Sequence, residues 1–180
     1  KRLQTYLNDL SKPEIDYISV KISTICSQLN LLSWEETLSV ITERLTKLYR
    51  AAKENKCLNN GVRCQKFVNL DMEEYRDLNL TVEAFKRVLE TDEFRNFSAG
   101  IVLQAYVPDS YIVQQELTLW AMKRVNSGDA PIKIRIVKGA NLAMEQVESS
   151  IRLWPQAQYE NKSDVDANYK RMLSYGAEKE

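Results

Sequence analysis

The stretch Ile132-Lys-Ile-Arg-Ile-Val137, followed at once by Lys138-Gly-Ala-Asn141, decides how this chain folds. It reads as a strand that opens through a small glycine turn into a helix, with one cation, Arg135, set among apolar neighbours. Three earlier runs are built alike: Ile18-Ser-Val20 stops on Lys21, Phe67-Val-Asn-Leu70 on Asp71, and Ile101-Val-Leu103 on Gln104. The four polar residues differ in kind and lie 50, 33 and 31 residues apart. A polar side chain repeated where buried strands stop is how a parallel barrel assembles a site at one rim.

Between these runs the apolar positions change to helical spacing. Leu3 to Leu10 reads as a helix halted by Ser11-Lys-Pro13, so residues 1–16 form a leading helix and connection. Ser33-Trp-Glu-Glu36 has the form of a capping box, after which Leu38, Ile41, Leu45 and Leu48 carry a helix to Asn55. Asn59-Asn-Gly61 reads as a turn. Further helices are expected from Thr81 to Glu90, from Pro108-Asp-Ser110 through Val125, from Asn141 to Leu153, and from Ser163 with Val165, Tyr169 and Met172 inward. The third strand is expected over Ala99 to Tyr106.

Strands alternating with helices, and nearly continuous in apolar residues, call for a parallel sheet covered on both faces. That leaves an open doubly wound sheet or a (βα)8 barrel. Polar groups at every strand end, not at one switch point alone, favour the barrel. A complete barrel takes about 250 residues. With 180 residues and four visible strands, residues 1–180 read as about half of one, a partial barrel domain from a longer chain.

Composition narrows the function. With 44% apolar and 28% charged residues the chain is neither disordered nor fibrous. Lysine plus arginine equals aspartate plus glutamate at 25 each, so no net field draws in nucleic acid. The longest apolar runs fall far short of the roughly 20 residues a membrane helix needs. The opening Lys1-Arg-Leu-Gln-Thr-Tyr6 carries no apolar signal core and no initiator Met, so no secretory leader and some missing upstream residues are expected. Three cysteines, Cys26, Cys57 and Cys64, are expected as unpaired thiols in a reducing cytoplasm. The chain contains no histidine, so a His general base or a Ser-His-Asp triad cannot be built from these residues.

The remaining candidates are few. The turn Val137-Lys138-Gly139-Ala140-Asn141 can bring backbone N–H groups close to an anion at a helix start, although it is neither a Walker loop nor a dinucleotide fingerprint. Lys21 and Arg135 are cations at the rim that need a counter-charge, and Asp71 is the natural one. Gln104 can donate and accept at once, which suits the edge of a pyrimidine-like ring or a satisfied buried amide equally. Glu73 to Asp77 reads as solvated loop, and Trp34, Trp120 and Trp154 as packing.

Four ordered segments, Ser19-Val-Lys-Ile-Ser23, Val68-Asn-Leu-Asp-Met-Glu-Glu-Tyr-Arg-Asp77, Ile101-Val-Leu-Gln-Ala-Tyr106 and Arg135-Ile-Val-Lys-Gly-Ala-Asn-Leu-Ala-Met144, closely resemble the proline dehydrogenase family. The nearest match is the proline dehydrogenase domain of bacterial bifunctional proline utilization A proteins, and the similarity extends to Asp166-Ala-Asn-Tyr-Lys-Arg-Met-Leu173. The resemblance implies a distorted (βα)8 barrel holding FAD at the strand C-terminal ends. It implies oxidation of L-proline to Δ1-pyrroline-5-carboxylate, on the way to L-glutamate, with electrons passed to a membrane quinone.

By that resemblance Arg135 sits against flavin N5 and Gln104 bonds the pyrimidine edge. Val137, Lys138, Gly139 and Ala140 line the flavin and its chain, and Lys162 approaches the adenosine or phosphate side. Lys21 meets the proline carboxylate, with Asp71 beside it. The implied setting is a cytoplasmic protein, peripheral at the inner membrane, whose parent chain can continue into a pyrroline-5-carboxylate dehydrogenase domain. The family's final helix, with an Arg-Arg pair that clamps the substrate carboxylate, has no counterpart here, so the segment alone is expected to be inactive. The competing expectation is a non-catalytic remnant or binding module that keeps the strand motifs for fold reasons. A third is a barrel enzyme taking a phosphorylated ligand at Lys138-Gly139.

Overall fold

The computed structural model describes residues 2–59 and 62–179. The leading helix α1 (Arg2–Ser11) precedes strand β1 (Tyr17–Lys21), the one-turn helix α2 (Ile22–Ile25) and the long helix α3 (Trp34–Glu54). A hairpin, β2 (Lys56–Asn59) and β3 (Val62–Gln65), leads into β4 (Phe67–Asp71) and α4 (Leu78–Leu89). Then come β5 (Gly100–Gln104), α5 (Asp109–Asn126), β6 (Lys133–Val137), α6 (Leu142–Arg152) and α7 (Lys162–Ala177).

The main sheet has the order β1-β4-β5-β6 with every pair parallel. Each strand lies beside the next one in sequence, with no reversal of direction across the sheet. A doubly wound sheet reverses at its switch point, whereas a barrel advances steadily, so the strand order selects the barrel type. The sheet is covered by amphipathic helices. Leu38, Ile41, Leu45, Leu48, Tyr49 and Ala52 of α3 are fully buried, as are Leu80, Ala84, Phe85 and Leu89 of α4. They close over Val20, Val68, Leu70 and Ile101 from the strands.

The register sorts the strand residues into two faces. Ser19 pairs with Asn69, Asn69 with Gly100 and Gly100 with Lys133, while Lys21 pairs with Asp71 and Val102 with Arg135. Because side chains alternate along a strand, these residues share one face in successive rows. Ile18, Val20, Val68, Leu70, Ile101 and Leu103 take the other, under the helices. Gly100 is required in its row, since a Cβ there would lie 2.6 Å from Asn69 Oδ1 and 2.9 Å from the Phe67 ring.

The structure departs from the sequence expectations in four places. The hairpin β2/β3 was not expected, and the apex of the expected turn, Asn60-Gly61, lies outside the described residues. Within the hairpin Cys57 and Cys64 are Cα partners, and Cys64 is disulfide-bonded, so the expectation of unpaired thiols holds for buried Cys26 and not for Cys64. Ser33 does not cap α3 through its side chain; Asn30 Oδ1 instead accepts from Leu32 N–H at 3.1 Å, starting a 3-10 turn ahead of the helix. Helix α4 begins at Leu78, before Thr81, because the 3-10 turn Tyr75–Asp77 feeds into it and Thr81 spends its hydroxyl on the Asp77 carbonyl at 2.7 Å. Helix α6 matches its expected bounds to a residue but has no buried residue, with Met144, Val147 and Ile151 exposed, and its Glu145 reaches Tyr75 and Tyr106 in the segments after β4 and β5.

Candidate active site

The polar row ends at the C-terminal rim of the strands. Arg135, on β6, donates from Nη2 to Asp71 Oδ1 at 2.5 Å, and Asn69 Nδ2 donates to the same oxygen at 2.8 Å while also reaching Ser19 Oγ at 3.1 Å. The Asp71 carboxylate therefore holds the arginine while being held itself. Charge-assisted bonds of this kind orient a guanidinium more firmly than packing would.

Lys21 stands beside Asp71 in the register but turns elsewhere. Its Nζ donates to Glu73 Oε1 at 2.9 Å, and the Ser23 hydroxyl donates to Glu73 Oε2. Of the two cations expected to find their counter-charge in Asp71, Arg135 does so, while Lys21 pairs with Glu73 instead. Burial pushes the Glu73 carboxyl up, but the bonds from Ser23 and Lys21 outweigh it and hold the group below the usual carboxylate range. Glu73 is therefore a partner of the site and not solvated loop.

Gln104 ends β5 with 4% of its surface exposed. Its Nε2 donates to the Met72 carbonyl at 3.3 Å, and its Oε1 has no hydrogen-bond partner. A buried amide oxygen left unmatched is costly, of order 1–3 kcal/mol, so this acceptor is a place for a donor.

The turn after β6 is locked onto the end of β5. Ala105 N–H donates to the Val137 carbonyl at 2.7 Å and Tyr106 N–H to the Lys138 carbonyl at 2.8 Å. Gly139 adopts φ +124°, and a Cβ there would fall 2.4 Å from the Tyr106 ring. Only glycine meets both demands. Ala140 is exposed beside it. Asn141 Nδ2 donates to the Glu73 carbonyl at 3.1 Å, tying this turn to the loop after β4.

One carboxylate gathers the rim. Glu145 of α6 accepts from Tyr75 N–H and from Tyr106 Oη–H, each at 3.0 Å, and from Gln158 Nε2 at 2.5 Å. Burial, with the Glu145 charge beside it, pushes the Tyr106 phenol up, so that it stays a donor. Lys138 and Lys162 converge on Asp166, at 2.5 and 3.0 Å, and their hydrogen bonds pull its carboxyl down to about 2.

Lys21, Asp71, Gln104, Arg135, Val137, Lys138, Gly139 and Ala140 thus share one rim, whereas Lys162 reaches it only through Asp166. Sequence reasoning missed Ser23, Glu73, Asn69, Glu145 and Tyr106. The alternation Ser19/Lys21 and Asn69/Asp71 was a signal for Asn69; nothing local marked Glu145.

A barrel-type sheet with a cationic, amide-bearing rim at the strand C-terminal ends defines a barrel scaffold of the kind that binds a ligand there. A family model of proline dehydrogenases matches residues 2–180, and this chain belongs to the proline dehydrogenase family. Among solved structures, proline utilization A from Corynebacterium freiburgense superposes with a TM-score of 0.89 at 42% identity, over 97% of this chain and 17% of that one. Proline utilization A from Bdellovibrio bacteriovorus, inactivated by N-propargylglycine, superposes with a TM-score of 0.81 at 33% identity, over 99% of this chain and 20% of that one. A proline dehydrogenase of Deinococcus radiodurans is 32% identical over 59% of this chain and 27% of its own length. The chain therefore spans about a quarter or less of the relatives it matches.

Proposed function

We propose that this chain is the flavin-facing half of an FAD-dependent proline dehydrogenase, oxidising L-proline to Δ1-pyrroline-5-carboxylate within a longer protein. The observation that carries it is the buried Gln104 with its unmatched Oε1, set at the same rim as the Asp71-anchored Arg135. The residues present fit the cofactor. An acceptor without a donor suits a ring N–H.

FAD, when bound, supplies the hydride acceptor at N5 for a hydride leaving proline Cδ. Gln104 would hold the pyrimidine edge. Val137, Lys138, Gly139 and Ala140 would line the ring and its chain, and Lys162 would serve the adenosine or phosphate side. Lys21 would bind the substrate carboxylate. Arg135, fixed by Asp71, would supply a positive charge beside the flavin, a stabilisation of its reduced form built in before reaction. The substrate's Cδ–H bond breaks, its C=N bond forms, and its N–H proton is released. In this reading the electrons pass on to a membrane quinone, met by a cytoplasmic protein at the inner membrane. A pyrroline-5-carboxylate dehydrogenase domain in the same parent chain would consume the product.

Flavin titration of the full-length protein tests this. Arg135→Met and Gln104→Ala are each expected to weaken FAD binding about tenfold or more, the loss of one or two charge-assisted or buried hydrogen bonds. Proline-dependent dye reduction should fall with them. A full-length protein that purifies without flavin, takes none up and is indifferent to Arg135→Met would instead identify a non-catalytic remnant of the fold.

A further inference from the structure

Lys21 already holds a carboxylate. Glu73 presents Oε1 to Lys21 Nζ at 2.9 Å and Oε2 to the Ser23 hydroxyl, so both of its oxygens are engaged, each by a different donor. The two donors come from either side of the β1–α2 junction, Lys21 closing the strand and Ser23 lying in the first turn of α2. An amino-acid carboxylate arriving at Lys21 meets the same two donors with the same geometry.

Glu73 is also placed to leave. It lies in the three-residue connection between β4 and the 3-10 turn at Tyr75, outside any helix or strand, and its side chain is 24% exposed. Its backbone is fixed independently, because its carbonyl accepts from Asn141 Nδ2 at 3.1 Å. The side chain can swing off Lys21 while the loop stays anchored. The neighbouring cation does not compete for it, since Arg135 is committed to Asp71 at 2.5 Å.

We infer that Glu73 is an internal occupant of the substrate-carboxylate position, which substrate displaces from Lys21 and Ser23, and that Ser23 is the second donor to the substrate carboxylate. This rests on the reading that Lys21 receives that carboxylate. Glu73 then sets the concentration at which substrate binds, because the apparent affinity is the intrinsic one multiplied by the fraction of molecules in which the resident carboxylate has swung away. It also makes the site selective. A ligand without a carboxylate cannot replace the bonds that Lys21 and Ser23 would lose, and unpaired polar groups are penalised.

The test is steady-state kinetics on the full-length flavoprotein. Glu73→Gln keeps the side-chain size, removes the charge and is expected to lower KM for L-proline about threefold or more, the relief of a competing state. Ser23→Ala in that background should raise KM again by a similar factor. With Lys21→Met the effect of Glu73→Gln on KM should vanish, since the two compete through the same cation. Pyrrolidine, which lacks the carboxylate, should show no KM difference between wild type and Glu73→Gln. A rise in KM for L-proline on Glu73→Gln would overturn the proposal and make Glu73 a positioning residue that holds Lys21 for substrate. An unchanged KM would overturn it as well. Failure of the underlying reading looks different: wild-type protein with bound flavin would show a KM for L-proline that Lys21→Met does not alter.

Discussion

At the scale of single residues, the rim contains one group whose charge is held against its surroundings. Asp77 is buried, its Oδ1 has no hydrogen-bond partner, and Arg76 stands 3.9 Å away. Burial, reinforced by Glu74, Glu73 and Glu145 and opposed by Arg76, pushes its carboxyl up to about 6 from the ordinary 3.8. The folded state therefore binds this proton more tightly than the unfolded chain. Stability falls as pH rises between the two values, and the full penalty stands above the upper one. Asp77→Asn removes the charge and is expected to stabilise the protein by about 1–2 kcal/mol near pH 7, with the gain fading below about pH 4. Urea unfolding at both pH values measures it, and an equal gain at both would refute the assignment. Gly139 gives a second case: Gly139→Ala forces a side chain into the Tyr106 ring at a φ that L residues avoid, and a loss of about 2 kcal/mol or more in unfolding free energy is expected. Gln104 and Arg135 could be found from the sequence because each breaks an apolar run. Glu73 could not, since its meaning comes from a register that sets Lys21 beside Asp71, leaving the lysine to reach two residues further along the chain.

At the scale of elements, the periodicity of apolar residues specified α3, β4, α5 and α7 to within a residue or two, because each buries one continuous face. It placed α6 as closely, although that helix buries none of its residues, but it did not mark the hairpin β2/β3. The helix joints depend on side chains that periodicity cannot see. Arg124, near the end of α5, is 6% exposed and donates to the carbonyls of Leu89, Ala130, Phe94 and Arg95, the last three at 2.7 to 2.8 Å. It ties the end of α4 and the loop before β5 to α5, adding a donor to the Leu89 and Ala130 carbonyls and a second donor to those of Phe94 and Arg95, which also accept from Phe97 N–H and Ala130 N–H. Asp129 adds a charge partner at 3.7 Å. Arg124→Met keeps the stem and removes these bonds, and is expected to cost about 3 kcal/mol or more in thermal or urea unfolding, in line with stripping a buried charge network. Arg124→Lys should recover little, because an ammonium cannot span the same fan of carbonyls. A loss under about 1 kcal/mol would show that water replaces the guanidinium.

At the scale of the molecule, the steady order β1-β4-β5-β6 leaves β1 and β6 each with one unpaired edge among the described residues. The face that carries Lys21, Asp71 and Arg135 opens to solvent, with Lys21 and Arg135 about half exposed. A closed barrel removes such edges and shields such a face; four strands cannot do either. The alternation of one strand with one helix disclosed the parallel, barrel-type order, but how the interior face is completed is not a property of these four strands. A polypeptide of residues 1–180 is therefore expected to hold its helix-covered core yet fail as a catalyst. Water reaching Arg135 weakens the electrostatic stabilisation that the buried geometry provides, and a single lysine with its serine gives only part of a grip on the carboxylate. Purified residues 1–180 mixed with FAD should show no proline-dependent dye reduction, while the full-length protein does. Size-exclusion chromatography should show the fragment associating through its exposed strand edges as concentration rises, and a monomeric, active fragment would sink this account of the interior face.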